Sequence, residues 1–365
     1  MKKLVLLVCL LVVALFACRK DDPVVPDALV VPPTQPSPVD FDPQNAPYDS
    51  LSKYGFFTGD MTEQVPVQGV IPFAPITPLF SDYAHKFRFV WMPDTVRATY
   101  NSDGTVLEFP DGAVLIKTFY YDRVLPADAR RLVETRLMFK KNGAWQFANY
   151  VWNADQTEAI FDLSGSYKDI SWMDGNDQVH DVNYRIPSEA ECFTCHKKNN
   201  APAPIGVKPR NMNNTYPYAD GAMNQLQKWE AMGYLDPNHA PVGTTVARWD
   251  DPSADLQDRV RAYLDMNCSQ CHSDGGHCDY RPMRFLWEET VDPVNLGVCV
   301  EPQDPIAPGI THIVAAGNAA RSMVHYRLAT NAVDERMPLL GRSVIHEEGL
   351  QLITDWIDSL DPPCP

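Results

Sequence analysis

The sequence predicts a multidomain chain: an all-β, sandwich-like domain over residues 50–185, followed by mostly α domains over 186–250 and 251–365. Three observations carry this. Between residues 50 and 185, short aromatic and β-branched runs alternate with Asn-Gly and Asp-Gly turn signals. After Pro187 the texture changes to stretches with helical spacing of apolar residues, joined by long loops. The helical part also carries two stretches of one form, ECFTCH (191–196) and NCSQCH (267–272).

The chain begins with Lys2 and Lys3 and an apolar run from Leu4 to Ala17. That run is shorter than the ~20 residues a spanning helix needs. It has the pattern of a secretory signal over residues 1–17, which is excluded from fold reasoning. Its end, Leu15-Phe16-Ala17-Cys18, resembles a bacterial lipobox, with cleavage before Cys18 and lipidation of its thiol. Ordinary cleavage to a secreted product is the alternative. Several acyl chains on Cys18 would anchor stably where a single chain is marginal. Arg19, Lys20, Asp21 and Asp22 resemble a lipoprotein surface-export signal, or are a plain solvated charge run. Residues 18–49 form a Pro-rich spacer, as in PVVPDALVVPPTQPSP, that favours extended polyproline II. The expected location is the cell envelope, lipid-anchored, on the periplasmic side or the outer surface.

The net charge is −16, and loss of Lys2 and Lys3 with the signal makes it −18. Such an acidic chain argues against nucleic acid and favours basic protein partners, which charge would steer.

In the β region, KFRFVWM (86–92) ends at Pro93, and turn signals at 101–104 and 110–112 flank TVLEF and AVLIKTFYY. RLVETRLMFKK and AWQFANYVW, separated by Asn142-Gly143, read as a hairpin with the turn that pair prefers. Strands at this spacing suggest a sandwich. No catalytic arrangement stands out, and His85 and His180 read as packing or surface residues.

Beyond Pro187, NQLQKWEAM (224–232) puts Leu226 and Trp229 on one face, with Gly233 as C-terminal cap. DDPSADLQDRVRAYLDMN runs straight into the second CxxCH, with Asp251 as cap, Pro252 in the first turn and a stripe of Leu256, Val260, Tyr263 and Leu264. HEEGLQLITDWIDSL closes the chain, with Leu350, Ile353, Ile357 and Leu360 on one face and Asp361-Pro362 as its stop.

Histidine is 9 of 365 residues, so two CxxC pairs that are both followed by His are not a chance outcome. A zinc site built from two CxxC pairs has them ~15–20 residues apart. Here 72 residues lie between Cys195 and Cys268. A redox dithiol expects a βαβ setting. Covalent haem uses every residue: Cys192 and Cys195 would attach one haem c, and Cys268 and Cys271 a second. His196 and His272 would be the proximal iron ligands.

Met337, in DERMPLLG, is the candidate for the other face of the second iron. Helix, CxxCH, long loop, Met-Pro and closing helix over about residues 253–361 resemble a class I cytochrome c domain. For the first iron the candidates are Met212, Met223, Met232 and His239, with Met212 favoured because it lies in the polar run NMNN. An open or externally ligated iron is the alternative. Of the remaining cysteines, Cys278–Cys299 and Cys299–Cys364 are both admissible disulfides, and one thiol is left over.

Taken whole, the chain resembles a family of bacterial dihaem c-type cytochromes in which an exported β-rich region precedes two CxxCH sites. The stretches that carry the resemblance are TPLFSDYAHKFRFVWMP, LVETRLMFKKNGAWQFANYVWN, NQLQKWEAMGYL and RMPLLGRSVIHEEGLQLITDWI. It implies haem binding and one-electron transfer between redox proteins, and cytochrome c-type folds for the helical domains. Two rivals stand beside it. One is a dihaem peroxidase or oxidase with an open first haem. The other is a ligand-binding surface lipoprotein, with Trp145, Trp152 and Trp172 lining its site.

Overall fold

The centre of the molecule, in a computed structural model that describes residues 36–365, is one eight-stranded antiparallel sheet. Strands β1 (Ile71–Pro72), β2 (His85–Trp91), β3 (Val114–Val124), β4 (Ala129–Lys141), β5 (Ala144–Trp152) and β6 (Ala159–Phe161) lie side by side in chain order. β7 (Ser166–Met173) pairs with the end of β3 and with β8 (Val179–Ile186). The β4–β5 hairpin turns at Asn142-Gly143 as expected, both with positive φ.

Alternation puts Phe89, Trp91, Ile116, Leu137, Phe139, Tyr150 and Trp152 on one face. Leu51, Tyr54, Phe56 and Val70 cover them, joined by Val39, Phe41 and Tyr48 from the end of the Pro-rich segment. Burial of each such aromatic or aliphatic chain is worth about 1.5–3 kcal/mol. The expected signal (1–17), the expected lipidation site Cys18 and the expected spacer as far as residue 35 lie outside the described residues.

The opposite face has three tiers. At one end Val90, Leu115, Met138 and Trp145 pack against Val207, Met212, Leu226, Trp229 and Tyr234. At the other end Phe119, Tyr121, Ile170, Trp172 and Tyr184 form a second apolar cluster. Polar residues of β2 to β5 lie between them.

The expected fold class is overturned. The chain is mostly β, 18% helical in six short helices, and not an all-β sandwich followed by mostly α cytochrome c-type domains. No second large sheet faces the first among the described residues; β9 (Lys197–Lys198) with β10 (Ala201–Pro202), and β11 (Thr215–Tyr218) with β12 (Gly221–Asn224), are two-stranded ribbons. Loops and short helices cover the sheet instead. The helical content is low because Gly275-Gly276, Pro282, Pro293, Gly297, Pro302 and Pro308-Gly309 interrupt the chain repeatedly between 268 and 322.

The helices are short and single. They are α1 (Glu189–Cys195), α2 (Pro209–Met212), α3 (Gln225–Ala231), α4 (Leu256–Asn267), α5 (Met323–Ala329) and α6 (Glu347–Ser359). In α3 Leu226 and Trp229 are buried, and Gly233 follows with φ +76°. α4 starts later than expected: Asp255, not Asp251, caps it by accepting from the Asp258 N–H, and Asp251 and Pro252 form a turn before it. Val260, Tyr263 and Leu264 of the expected stripe meet Ile353 and Ile357 of α6, with Leu352 and Trp356 buried beside them.

A strap over residues 74–83 ties these parts to the sheet. The Ala74 N–H donates to Gln225 Oε1 (2.8 Å) and the Thr77 N–H to Asn211 Oδ1 (2.9 Å). The Phe80 N–H donates to Asn267 Oδ1 (2.8 Å), next to the second CxxCH. Asp82 accepts from the Ser343 N–H (2.5 Å) and Oγ–H (2.8 Å), beyond the Met-Pro pair. Buried groups of this kind must be partnered, so the strap fixes the start of the second CxxCH and the segment after Met337-Pro338 relative to β2, which it enters.

Candidate functional site

The first CxxCH is built on α1. Ser188 caps the helix, and its Oγ and the Glu191 carboxylate form a reciprocal capping box. The His196 N–H donates to the Cys192 carbonyl (2.9 Å), so the helical turn continues into the histidine. Cys192, Cys195 and His196 therefore share one side of the helix. His196 Nδ1 donates to the Ala203 carbonyl (3.0 Å), which leaves Nε2 with its lone pair. Phe147 meets the ring edge-on at 5.7 Å.

The second motif continues from α4. The Cys268 N–H donates to the Leu264 carbonyl (2.9 Å) and the His272 N–H to that of Cys268 (3.0 Å). Phe285 lies edge-on to His272 at 5.4 Å, and His272 Nδ1 is buried with no partner. Burial holds both imidazoles down to about 4, so both are neutral at neutral pH.

Both motifs open on one cavity of about 480 Å³. All four predicted attachment cysteines, both histidines and Met337 line it. The rest of the wall is mostly apolar, with Leu79, Ile205, Val207, Leu339 and Leu340 among its residues. The two motif loops touch: the Asn199 N–H donates to the Gly275 carbonyl (2.9 Å), and the Cys195 and Cys271 thiols are hydrogen-bond partners. Cys278 joins them as a buried free thiol bonded to Cys271, which holds it below the ordinary thiol value. Cys299 and Cys364 form the disulfide, so the tail is tied down and Cys278 is the thiol left over.

The predicted sixth ligands of the first iron lie elsewhere. Met212 is fully buried among Trp229, Leu226 and Val207 and does not line the cavity. Its polar neighbours in NMNN point to other partners; Asn211, for example, bonds Thr77. Met223 and Met232 pack against the same cluster, and His239 bonds Glu230 and stacks on Tyr100. Four other methionines line the cavity: Met138, Met266, Met283 and Met323. Met266 carried a signal, since it precedes the second motif on the same helix. Trp145, Trp152 and Trp172 are core residues in three separate clusters, and none lines the cavity.

Sequence reasoning also missed a charged row on the sheet. Arg88 (β2), Lys117 (β3), Arg136 (β4) and Asn149 (β5) are successive cross-strand partners, and all four line the cavity. Alternation in KFRFVW and LIKTFYY shows that two faces differ, but not that the charged one is enclosed.

Among the described residues no group of three or more His, Cys, Asp or Glu is arranged to hold a metal ion. A haem iron needs at most two ligands from the protein, because the porphyrin supplies four. Two neutral histidines, thiols on the same wall and apolar surroundings fit that group. Among the described residues no helix is long and apolar enough to cross a membrane. No protein-family model matches the chain, and no curated protein or solved structure is significantly similar to it.

Proposed function

We propose that the chain is a dihaem c-type cytochrome that passes single electrons in the cell envelope. The observation that carries the reading is the one cavity that both CxxCH motifs and Met337 share. Bound haem would supply an iron that cycles between two oxidation states. Cys192 and Cys195 would hold the first haem and Cys268 and Cys271 the second. His196, oriented by the Ala203 carbonyl, and His272 each present a neutral imidazole. Met337 offers a thioether on the cavity wall, and Met/His ligation raises a haem potential. The apolar wall keeps water from the site and favours the iron state of lower charge. The partners are redox proteins with basic surfaces, drawn by the acidic chain, and Cys18 would carry the lipid anchor.

The test is the intact mass of the mature chain, made with a c-type haem maturation system and Cys18 replaced. A gain of two haems that survives denaturation is expected; no gain overturns the reading. A second reading, a dihaem peroxidase or oxidase, is favoured by the distance of Met212 from the cavity, which leaves the first iron without its expected ligand. A high-spin ferric fraction that reacts with peroxide supports it, and two low-spin irons inert to peroxide sink it.

A further inference from the structure

We propose that the cross-strand row Arg88, Lys117 and Arg136, with Asn149, is the seat for the propionate carboxylates of the haem on the first CxxCH; this rests on the dihaem reading above. Directly paired residues of adjacent antiparallel strands point to the same face, with strands about 4.8 Å apart. The row therefore presents three cationic groups and an amide in one line across four strands. Apolar clusters border it along the strands on both sides, so it is no solvated face.

The charges of the row do not balance. Arg136 is satisfied: its Nε and Nη2 donate to the two oxygens of Glu134 at 3.0 and 2.5 Å, and Glu134 also accepts from the Tyr184 hydroxyl (2.7 Å). Among the described residues neither Arg88 nor Lys117 has a carboxylate within ion-pair distance. The Lys117 amine lies over the Phe119 ring at 4.6 Å instead. Lys86 adds further positive charge nearby. Burial and repulsion from Arg88 and Arg136 hold the Lys117 amine well below the ordinary lysine range. Asn149, 1% exposed, leaves both its amide Nδ2 and Oδ1 without a partner. Arg88 is a half-buried cation without a counter-ion, an unfavourable state, in a chain whose net charge is −16. A ligand with more than one carboxylate removes it, and an Arg fork with an amide donor binds carboxylates in a fixed geometry.

The row belongs to the first motif. The charges of Lys117 and Arg136 act on His196, and that of Arg136 on Cys192. Phe147, on the same strand and face as Asn149, meets the His196 ring. The cations acting on His272 are others: Arg284, Arg281 and Arg327.

The experiment uses the mature holoprotein, with two haems verified by mass, made with ¹³C-labelled propionates. Lys117→Gln, Arg88→Gln and the charge-conserving Lys117→Arg are compared by redox-difference infrared spectroscopy, resonance Raman and potentiometry. The expected result is a shift of the labelled carboxylate bands of one haem only, with a lower potential for that haem, in both Gln variants. Lys117→Arg should keep the wild-type potential and bands. The surface control Arg123→Gln, bonded to Asp128 and Asp177 away from the cavity, should change nothing. Unchanged carboxylate bands in a two-haem protein overturn the seat. So does a change of iron spin state in Lys117→Gln, which would make Lys117 an iron ligand. Bands unmoved by substitution, with phosphate binding lost in the Gln variants, would assign the row to a small anion and overturn it too. A chain that gains no haem fails at the earlier reading, by mass, before this test begins.

Discussion

The Asn199 N–H donates to the Gly275 carbonyl at 2.9 Å, and through that bond the loop after the first CxxCH holds the loop after the second. Lys198 adds a bond from Nζ to Ser273 Oγ (3.3 Å) and another to the Asp274 carbonyl. The motifs lie 76 residues apart in sequence, yet neither loop is complete without the other. In the proposed cytochrome this clasp would set the spacing of the two haems and couple their potentials.

Gly275 makes that clasp testable. Its φ is +73°, and a Cβ there would run into the Asn199 side chain and backbone. Gly275→Ala then meets about 1–2 kcal/mol of left-handed strain, plus separation of the loops. The expected outcome is a lower melting temperature, with two haems still attached and a changed separation between their potentials. Unaltered melting and potentials would remove the clasp from the account.

The residues of the candidate site were more legible in the sequence than the architecture. CxxCH is a pattern of fixed spacing, so its residues stand out without a fold, and Met337 stands out as Met-Pro ahead of a closing helix; the structure places all of them on one cavity wall. Helix ends were legible where a cap is local, as at Gly233. The sheet's surroundings were not legible, because period-two alternation in KFRFVWM fits a strand with either face wet. Only the long-range pairing Arg88–Lys117–Arg136 shows the polar face to be enclosed. Met212 misled for a similar reason: its sequence neighbours are polar, but its spatial neighbours are Trp229 and Leu226.

That contrast gives a paired prediction on the methionines. Met212→Leu conserves volume in a packed core, and such swaps cost under ~1.5 kcal/mol. Its visible and electron paramagnetic spectra should match those of the wild type. Met337→His should keep one iron low-spin while lowering its potential, since the Met ligand raises it. The reverse pattern, with Met212 altering the spectra and Met337 silent, would exchange the two assignments.

The Cys299–Cys364 disulfide closes a loop of 65 residues and tethers the chain end beneath Ala316, whose N–H donates to Cys364 Sγ (3.1 Å). Loop entropy alone makes it worth about 4 kcal/mol. Cys364→Ser should lower the denaturant midpoint accordingly and leave the haem count at two. Loss of the second haem instead would show that the tether is needed to form the cavity.

His346 gives the pH dependence a sign. It is stacked on Phe80 at 4.1 Å and Tyr263 at 5.6 Å, with Trp249 edge-on at 4.9 Å. Its Nδ1 shares a 2.9 Å hydrogen bond with the Tyr263 hydroxyl. Burial is the main cause that pushes it down to about 4; Lys86 acts the same way, and Glu348 opposes both. The unfolded chain takes up this proton near pH 6.5 and the folded chain does not. Stability is therefore fully present above pH 6.5 and is lost as pH falls from there toward 4, by up to ~1.4 kcal/mol per unit. In the proposed two-haem protein His196 and His272 would be bound to iron and would not blur the measurement. His346→Leu should be less stable at pH 7, having lost the bond to Tyr263, at about 0.5–1.5 kcal/mol. Its denaturant midpoint should also fall less steeply than that of the wild type between pH 6.5 and 4.5. Parallel curves for the two proteins would mean that His346 is charged in the folded chain, and the stacked, neutral ring would have to be given up.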